Sequence, residues 1–453
     1  MSRVASRAQL ASPCQVAEPR EPAAWEWVCA IAAVIMFTSA IIAPLFSPEP
    51  GVETPELRFV WLPVYALTLT LAIRRAREIA AVWPAVLIAG ALTALAFLSS
   101  RWSLEPDTTF RRSIALAMSM LFAFYLGAVW RGPTLLRMLC WAFLIMAVGS
   151  LFMVVAIPSM GIHDDVNAGA WRGLWIEKNQ TGMMMFTGML AALSLLVSGA
   201  RGRAVAITTL IVCFVVLLGS RSKTSLLCLI VGGGLTVGLH ALRKAGPVAG
   251  IVLAWLGVVT VGSVAAFFLI SPETFFALLG KDATFTGRTE IWDSLLRRSA
   301  EQPWTGYGYA AFWGKESMPA NWVRLETEWR VPSAHHGWLE VLIQLGRVGV
   351  VMVALTYAAN VILSLARLPT QGVREGYFGL AYLAAYGVLT LSESVMLTHH
   401  NFSWALFMGI LAGRFLPSAP PQAVVVAPDR APPPLRRSPR FRSVRPAHTR
   451  YTA

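Results

Sequence analysis

The sequence predicts an all-α, polytopic integral membrane protein with about 12 transmembrane helices, and three observations predict it. Of the 453 residues, 56% are hydrophobic and 14% charged, against roughly 45–50% and roughly 25% in ordinary soluble domains. Apolar stretches of about 17–25 residues, long enough as helices to cross a hydrocarbon core of about 30 Å, recur along most of the chain. Arg and Lys crowd into alternate connections between those stretches, the pattern of cytoplasmic loops. The formal charge is +14, yet the basic residues form no continuous run. A membrane surface is therefore a better partner than a nucleic-acid duplex.

In chain order the expected spans are 24–45, 57–73, 78–98, 113–130, 134–156, 180–198, 204–219, 224–242, 248–270, 336–366, 376–395 and 401–416. They are helices because a backbone polar group in lipid must find its partner locally. Residues 1–23 are a polar tail with Arg3, Arg7 and Arg20, and no A-x-A cleavage site follows the first span, which reads as a retained anchor. A cytoplasmic N-terminus puts Arg74, Arg75, Arg77, Arg131, Arg137, Arg201, Arg203, Arg243, Lys244, Arg367 and Arg374 on the inner side. Residues 24–416 then form one transmembrane domain. Residues 417–453, Pro- and Arg-rich, read as a disordered cytoplasmic tail attracted to anionic lipid. The long connection 271–334 lies outside, and a connection of that length is usually functional. Cys14 sits in the first tail and Cys29, Cys140, Cys213 and Cys228 in apolar runs, with no disulfide or zinc spacing.

Every even-numbered span runs inward, so its N-terminus, with free N–H groups and the positive end of the helix dipole, faces out. At or just before those ends stand Arg111 and Arg112, Lys178, then Arg221 and Lys223. A cation in a first turn is unfavourable by a few tenths of a kcal/mol unless an anion is bound there. Several such ends together make a phosphate site, and at a membrane surface that phosphate belongs to a lipid-linked pyrophosphate. The alternative is that these side chains snorkel to lipid head groups.

Within the loop, Ile291, Trp292, Leu295 and Leu296 follow helical spacing, which predicts an amphipathic helix over 288–299 lying on the membrane face. Arg288 falls in its first turn. Pro303 to Gly308 make a turn that exposes Tyr307 and Tyr309, placed either to stack on sugar rings or to anchor at the interface. Five of the seven histidines, His163, His335, His336, His399 and His400, are external. His335 and His336 stand where the loop re-enters the membrane, and a neutral imidazole there is a candidate base for a sugar hydroxyl. Glu340 lies one turn after His336, placed to orient or charge-balance it. No D-x-D pair, G-x-S-x-G elbow, Walker loop or G-x-G-x-x-G fingerprint occurs. No metal or cofactor is expected.

Three segments carry a family resemblance: RGLWIEKNQTG (172–182), LGSRSKTSLL (218–227), and TGRTEIW…PWTGYGYAAFW with SAHHGWLEVLIQLGRVG in and after the long loop. Together they resemble the O-antigen ligase and polymerase superfamily of bacterial membrane proteins, and the Lys-Asn pair and loop wording are most similar to its exopolysaccharide polymerases. The resemblance implies a GT-C-like fold and a metal-independent glycosyltransferase of the bacterial inner membrane, with termini in the cytoplasm and its site facing the periplasm. It implies a donor glycan on undecaprenyl pyrophosphate, a glycan acceptor, and a chain-length regulator and flippase of the same pathway as further partners. By motif, Arg172, Lys178, Arg221 and Arg288 would bind the pyrophosphate and His335 would act as base. Asn179, Lys223, Arg112 and Tyr307 complete the expected substrate-binding set. The residue after the motif histidine is usually Asn and is here His336, so both histidines stand as candidates. A ligase handing finished glycan to lipid A core or protein would use the same chemistry. A lipid-linked glycan flippase would instead need midplane charges and an internal repeat.

Overall fold

The computed structural model describes residues 21–40, 42–46, 57–165, 167–252, 255, 257, 288–314 and 316–416. Within them the chain is helical: α1 (Ala24–Phe37), α2 (Ile42–Phe46), α3 (Leu57–Arg74), α4 (Ala76–Ala80), α5 (Trp83–Leu98), α6 (Pro106–Val129), α7 (Gly132–Ala156), α8 (Pro158–Gly161), α9 (Lys178–Ser198), α10 (Arg203–Ser220), α11 (Lys223–Lys244), α12 (Arg288–Ser299), α13 (Met318–Glu326), α14 (Gly337–Ala366), α15 (Leu368–Gln371), α16 (Phe378–Leu389) and α17 (Phe402–Arg414). Among the described residues seven helices are long and apolar enough to cross a membrane, those beginning at Trp83, Pro106, Gly132, Lys178, Arg203, Lys223 and Gly337. Shorter apolar helices cover Ala24–Phe37, Phe59–Arg74, Phe378–Leu389 and Phe402–Arg414. This is a polytopic membrane protein. Most of the expected span 248–270, the loop segment 271–287, residues 1–20 of the first tail and all of the tail 417–453 lie outside the described residues.

Two expected spans are interrupted. The first stops at Phe37, where Thr38 caps the helix and Ser39 takes a positive φ of 59°. The span expected over 376–395 ends at Leu389, and residues 390–401 run irregularly, carrying Ser392, Glu393, Ser394, His399 and His400. A Ser-Glu-Ser run cannot satisfy its polar groups in lipid and instead reaches for other elements.

The helix α9 is the centre of the bundle, buried on nearly all sides against α7, α10, α11 and α16. A close crossing joins α6 to α17. There a Cβ added to Gly127 would lie 2.1 Å from the Gly409 carbonyl oxygen and 2.9 Å from Ala412. Small residues let membrane helices touch through their backbones. Gly127→Leu is expected to cost about 3 kcal/mol by forcing that contact apart, read as a lowered unfolding midpoint in detergent. At the other end of the first helices, Glu26 of α1 and Arg75 after α3 form a buried ion pair at 2.6 Å, which puts the start of α1 and the end of α3 on one side of the bundle.

The described part of the long loop builds a second core of its own. Ile291 and Leu295 of α12 meet Tyr307, Phe312, Ala320, Val323, Val331, Ala334 and Ile343. The apolar face of α12, expected on the membrane, is therefore turned into the loop, with Leu296 left exposed. The loop docks on α14 where that helix is kinked at Gly346, which has φ 62° and ψ −163°. Only glycine fits there, because a Cβ would meet the Trp304 carbonyl at 2.3 Å. Residues 303–308 use the opened turn: Tyr307 and Gly308 donate their N–H groups to the Ile343 and Gln344 carbonyls at 2.9 Å, and Arg347 donates its own to Pro303 at 2.9 Å. Tyr307 and Tyr309, expected exposed, are consequently 6% and 1% exposed.

Candidate functional site

Three helix starts and the irregular segment 390–401 meet at one place. Lys178 opens α9 and Lys223 opens α11, and neither start has a side-chain cap. Arg221, just before α11 in a left-handed conformation, has Lys178 and Lys223 within electrostatic reach of it or of each other. Two uncapped N-termini and three cations amount to a strongly anion-attracting surface. Ser222, between Arg221 and Lys223, would ordinarily cap its helix. It instead donates its hydroxyl to Asn179 Oδ1 at 3.1 Å.

Asn179 passes the connection on. Its Nδ2 donates to Glu393 Oε1 at 2.9 Å, and the same carboxylate oxygen stands 3.9 Å from Nη2 of Arg288. Arg288, at the start of α12, also donates Nη1 to the Ser392 carbonyl at 2.9 Å. Contacts across four parts of the chain thus join Asn179, Ser222, Glu393 and Arg288, with Lys178, Arg221 and Lys223 next to them in sequence. Glu393 was absorbed into an expected span, and an acidic residue inside an apolar run was the available signal for it.

His335 lies within electrostatic reach of Arg288. It takes a positive φ of 46°, and its ring stacks on Trp329 with centroids 5.7 Å apart and planes 8° from parallel. Burial, with the nearby Arg288 guanidinium adding to it, pushes the imidazole down to about 4, so the ring is neutral at pH 7. Its buried Nε2 has no hydrogen-bond partner among the described residues. His336 differs. It caps α14, accepting the Leu339 N–H at Nδ1 at 3.3 Å, so its basic nitrogen is already occupied when the ring is neutral.

Glu340 does not bond His336. Its buried carboxylate accepts from Trp313 Nε1 at 2.8 Å, Gln344 Nε2 at 2.7 Å, the Ala334 N–H at 2.8 Å and Ser394 Oγ at 3.2 Å. One helical turn brings Glu340 beneath His336, but donors from the loop, segment 390–401 and α14 itself claim it first. Its geometry is that of a staple next to His335. Glu340→Ala is expected to leave those donors unsatisfied and cost about 3 kcal/mol, seen in thermal unfolding, with Glu340→Gln falling between.

The remaining expected residues serve the frame. Arg172 donates Nε to the Met160 carbonyl at 2.9 Å and Nη2 to Ser159 at 2.6 Å. Arg112 donates to the Ala310 carbonyl and so ties α6 to the loop. Tyr307 donates its hydroxyl to Glu301 at 2.7 Å and to the Arg298 carbonyl at 2.9 Å, holding the turn against α12. His399 and His400 join a separate aromatic brace. The His400 ring lies on Trp61 at 3.5 Å and bonds the Tyr65 hydroxyl, while His399 bonds the Tyr309 hydroxyl through both its N–H and Nδ1.

Among the described residues no group of three His, Cys, Asp or Glu side chains is placed to hold a metal ion. What the cluster can do is grip an oxyanion with several cationic donors beside an unprotonated imidazole.

Comparison with known proteins gives a relative and a family match. The chain is 25% identical over 367 residues to the exopolysaccharide production protein ExoQ of Rhizobium meliloti (strain 1021), covering 76% of this chain and 81% of that one. Residues 186–354, which include Arg221, Lys223, Arg288, His335 and Glu340, match the family model described as O-Antigen ligase. That match falls on the segment that carries Arg221, Arg288 and His335, and over it the chain is similar to the O-antigen ligase family.

Proposed function

We propose that the protein is a membrane glycosyltransferase that polymerises oligosaccharide repeats carried on undecaprenyl pyrophosphate, at the outer leaflet of a bacterial inner membrane. The observation that carries the reading is the set of contacts from the uncapped starts of α9 and α11, through Asn179 and Glu393, to Arg288, with the neutral His335 within electrostatic reach of that guanidinium. Lys178, Lys223, Arg221 and Arg288 hold the pyrophosphate. The chain crosses the membrane about 12 times, in a GT-C-like arrangement, with both termini in the cytoplasm and the loop 271–334 in the periplasm.

In the reaction an acceptor hydroxyl oxygen bonds to the anomeric carbon of the donor sugar. The bond from that carbon to the phosphate oxygen breaks, and its electron pair stays on the departing pyrophosphate. His335 takes the hydroxyl proton at Nε2. Negative charge grows on the leaving group as the bond lengthens, so the cationic contacts tighten most in the transition state. These residues supply the charge stabilisation without a divalent ion. A single displacement inverts the anomeric centre, and a product of retained configuration would overturn this scheme.

The relative named for exopolysaccharide production favours polymerisation over ligation. The test is to follow the lipid-linked fraction in cells whose sole copy carries His335→Ala or Arg288→Ala. Unpolymerised repeat accumulates if the protein is a polymerase. Finished polymer retained on its lipid would mark a ligase, and normal product from both variants would remove the site.

A further inference from the structure

The expected membrane-facing helix α12 buries its apolar side within the loop, yet the loop still presents a large apolar surface elsewhere. Met318, Trp322, Leu325 and Trp329 follow i, i+4, i+7 and i+11 along α13 and the turn after it, and are 66%, 49%, 68% and 46% exposed. The opposite side of α13 is spent: Ala320 and Val323 are fully buried in the loop core. Four large apolar side chains in one stripe are more than a solvated loop keeps exposed without a partner.

We propose that this stripe is an interfacial anchor that lies in the head-group layer of the bilayer. Its height argues for that. Arg324 of α13 donates to the Trp313 carbonyl at 2.8 Å and the Gly314 carbonyl at 3.4 Å. Gly314 abuts the carboxylate of Glu105, the residue that precedes α6. Thus α13 is tied to the level at which a membrane helix begins. Exposed Trp102, Leu104, Phe110 and Trp304 stand around that same level and continue the apolar surface. Below it, the exposed face of α14 starts at Val348 and continues through Val351, Leu355, Ile362 and Leu365. Residues 348–366 rise about 28 Å, close to the thickness of a hydrocarbon core.

The side chains choose between ligands. Indole rings prefer the membrane–water boundary, and exposed Arg330 beside Trp329 suits lipid phosphate. Met318 and Leu325 offer no hydrogen bonds to a sugar, which favours lipid over glycan. Trp329 also stacks on His335. Resting on the proposed role of that histidine, seating the stripe in the head groups sets the height of the base above the bilayer.

The experiment places a nitroxide at Leu325→Cys in the full chain, with native cysteines replaced by alanine, in phosphatidylcholine–phosphatidylglycerol vesicles. The exposed Glu316→Cys is the aqueous control. Oxygen is expected to relax the label at 325 several-fold more effectively than a water-soluble nickel chelate, with the order reversed at 316. Three results would each overturn the anchor. These are chelate access at 325 equal to that at 316, access by neither reagent because protein covers the position, or a label that becomes immobile only when soluble glycan is added. The depth is read without turnover. A lipid-facing label with a fully active His335→Ala would therefore sink the catalytic reading alone, and a water-facing label with an inactive His335→Ala the anchor alone.

Discussion

His335→Ala is expected to lower the transfer rate about 10²- to 10⁴-fold, the usual worth of a positioned general base, while binding of the lipid-linked donor changes little. The partition follows from where the ring stands. Its Nε2 has no hydrogen-bond partner among the described residues, and the proposed grip on the pyrophosphate belongs to other residues. The pH dependence is the sharper readout. The imidazole sits at about 4 instead of 6.5 because burial and Arg288 both oppose its charged form. The rate constant for free enzyme and donor should stay level down to about pH 5 and fall only near 4. An ordinary histidine would be about 90% protonated at pH 5.5 and already slow. A bound pyrophosphate raises the value, so the acid limb of kcat should lie above that of kcat/KM. Stability moves in the same direction. With the folded value below the unfolded one, the unfolded chain binds more protons between pH 6.5 and 4, so acid weakens the fold in that window. An acid limb of kcat/KM near 6.5 would refute the buried neutral base.

Arg288→Ala is expected to cost about 10²- to 10³-fold in kcat, the range for removing one donor to charge that develops in the transition state. Arg288→Lys should recover little of it. The guanidinium divides two nitrogens between Ser392 and Glu393, and an ammonium cannot reproduce that fork. Removing the cation also leaves Glu393 among the anion-binding groups with its negative charge less compensated, so donor affinity should fall as well. Transfer assays with purified donor in detergent separate the two effects. A change in KM alone, with kcat intact, would mean that Arg288 only holds the donor.

Much of the fold could be read along the chain because its cause is local. An apolar run must become a helix in lipid, and the spans expected from 180 and 224 begin at Lys178 and Lys223, while helical spacing placed α12 over 288–299 as observed. The misreadings share another cause. Tyr307 carries the composition of an exposed turn, but Gly306 and Gly308 let that turn fold inward against α14. Glu340 is one turn from His336, but donors from Ala334, Trp313, Gln344 and Ser394 reach it. Periodicity placed α12 correctly and assigned its apolar face to the wrong neighbour.

From its sequence alone, then, the chain determined that it is a helical membrane protein, where most of its helices begin, and that cations and histidines gather near helix ends. Only the tertiary structure decided which of those groups meet. Asn179 and Glu393 are 214 residues apart, and Arg288 and Ser392 are 104 apart. Hydropathy and helical spacing act over a few turns, whereas a hydrogen bond between distant segments exists only after packing has brought them together. The meeting of Asn179, Glu393 and Arg288 is settled by those long-range contacts.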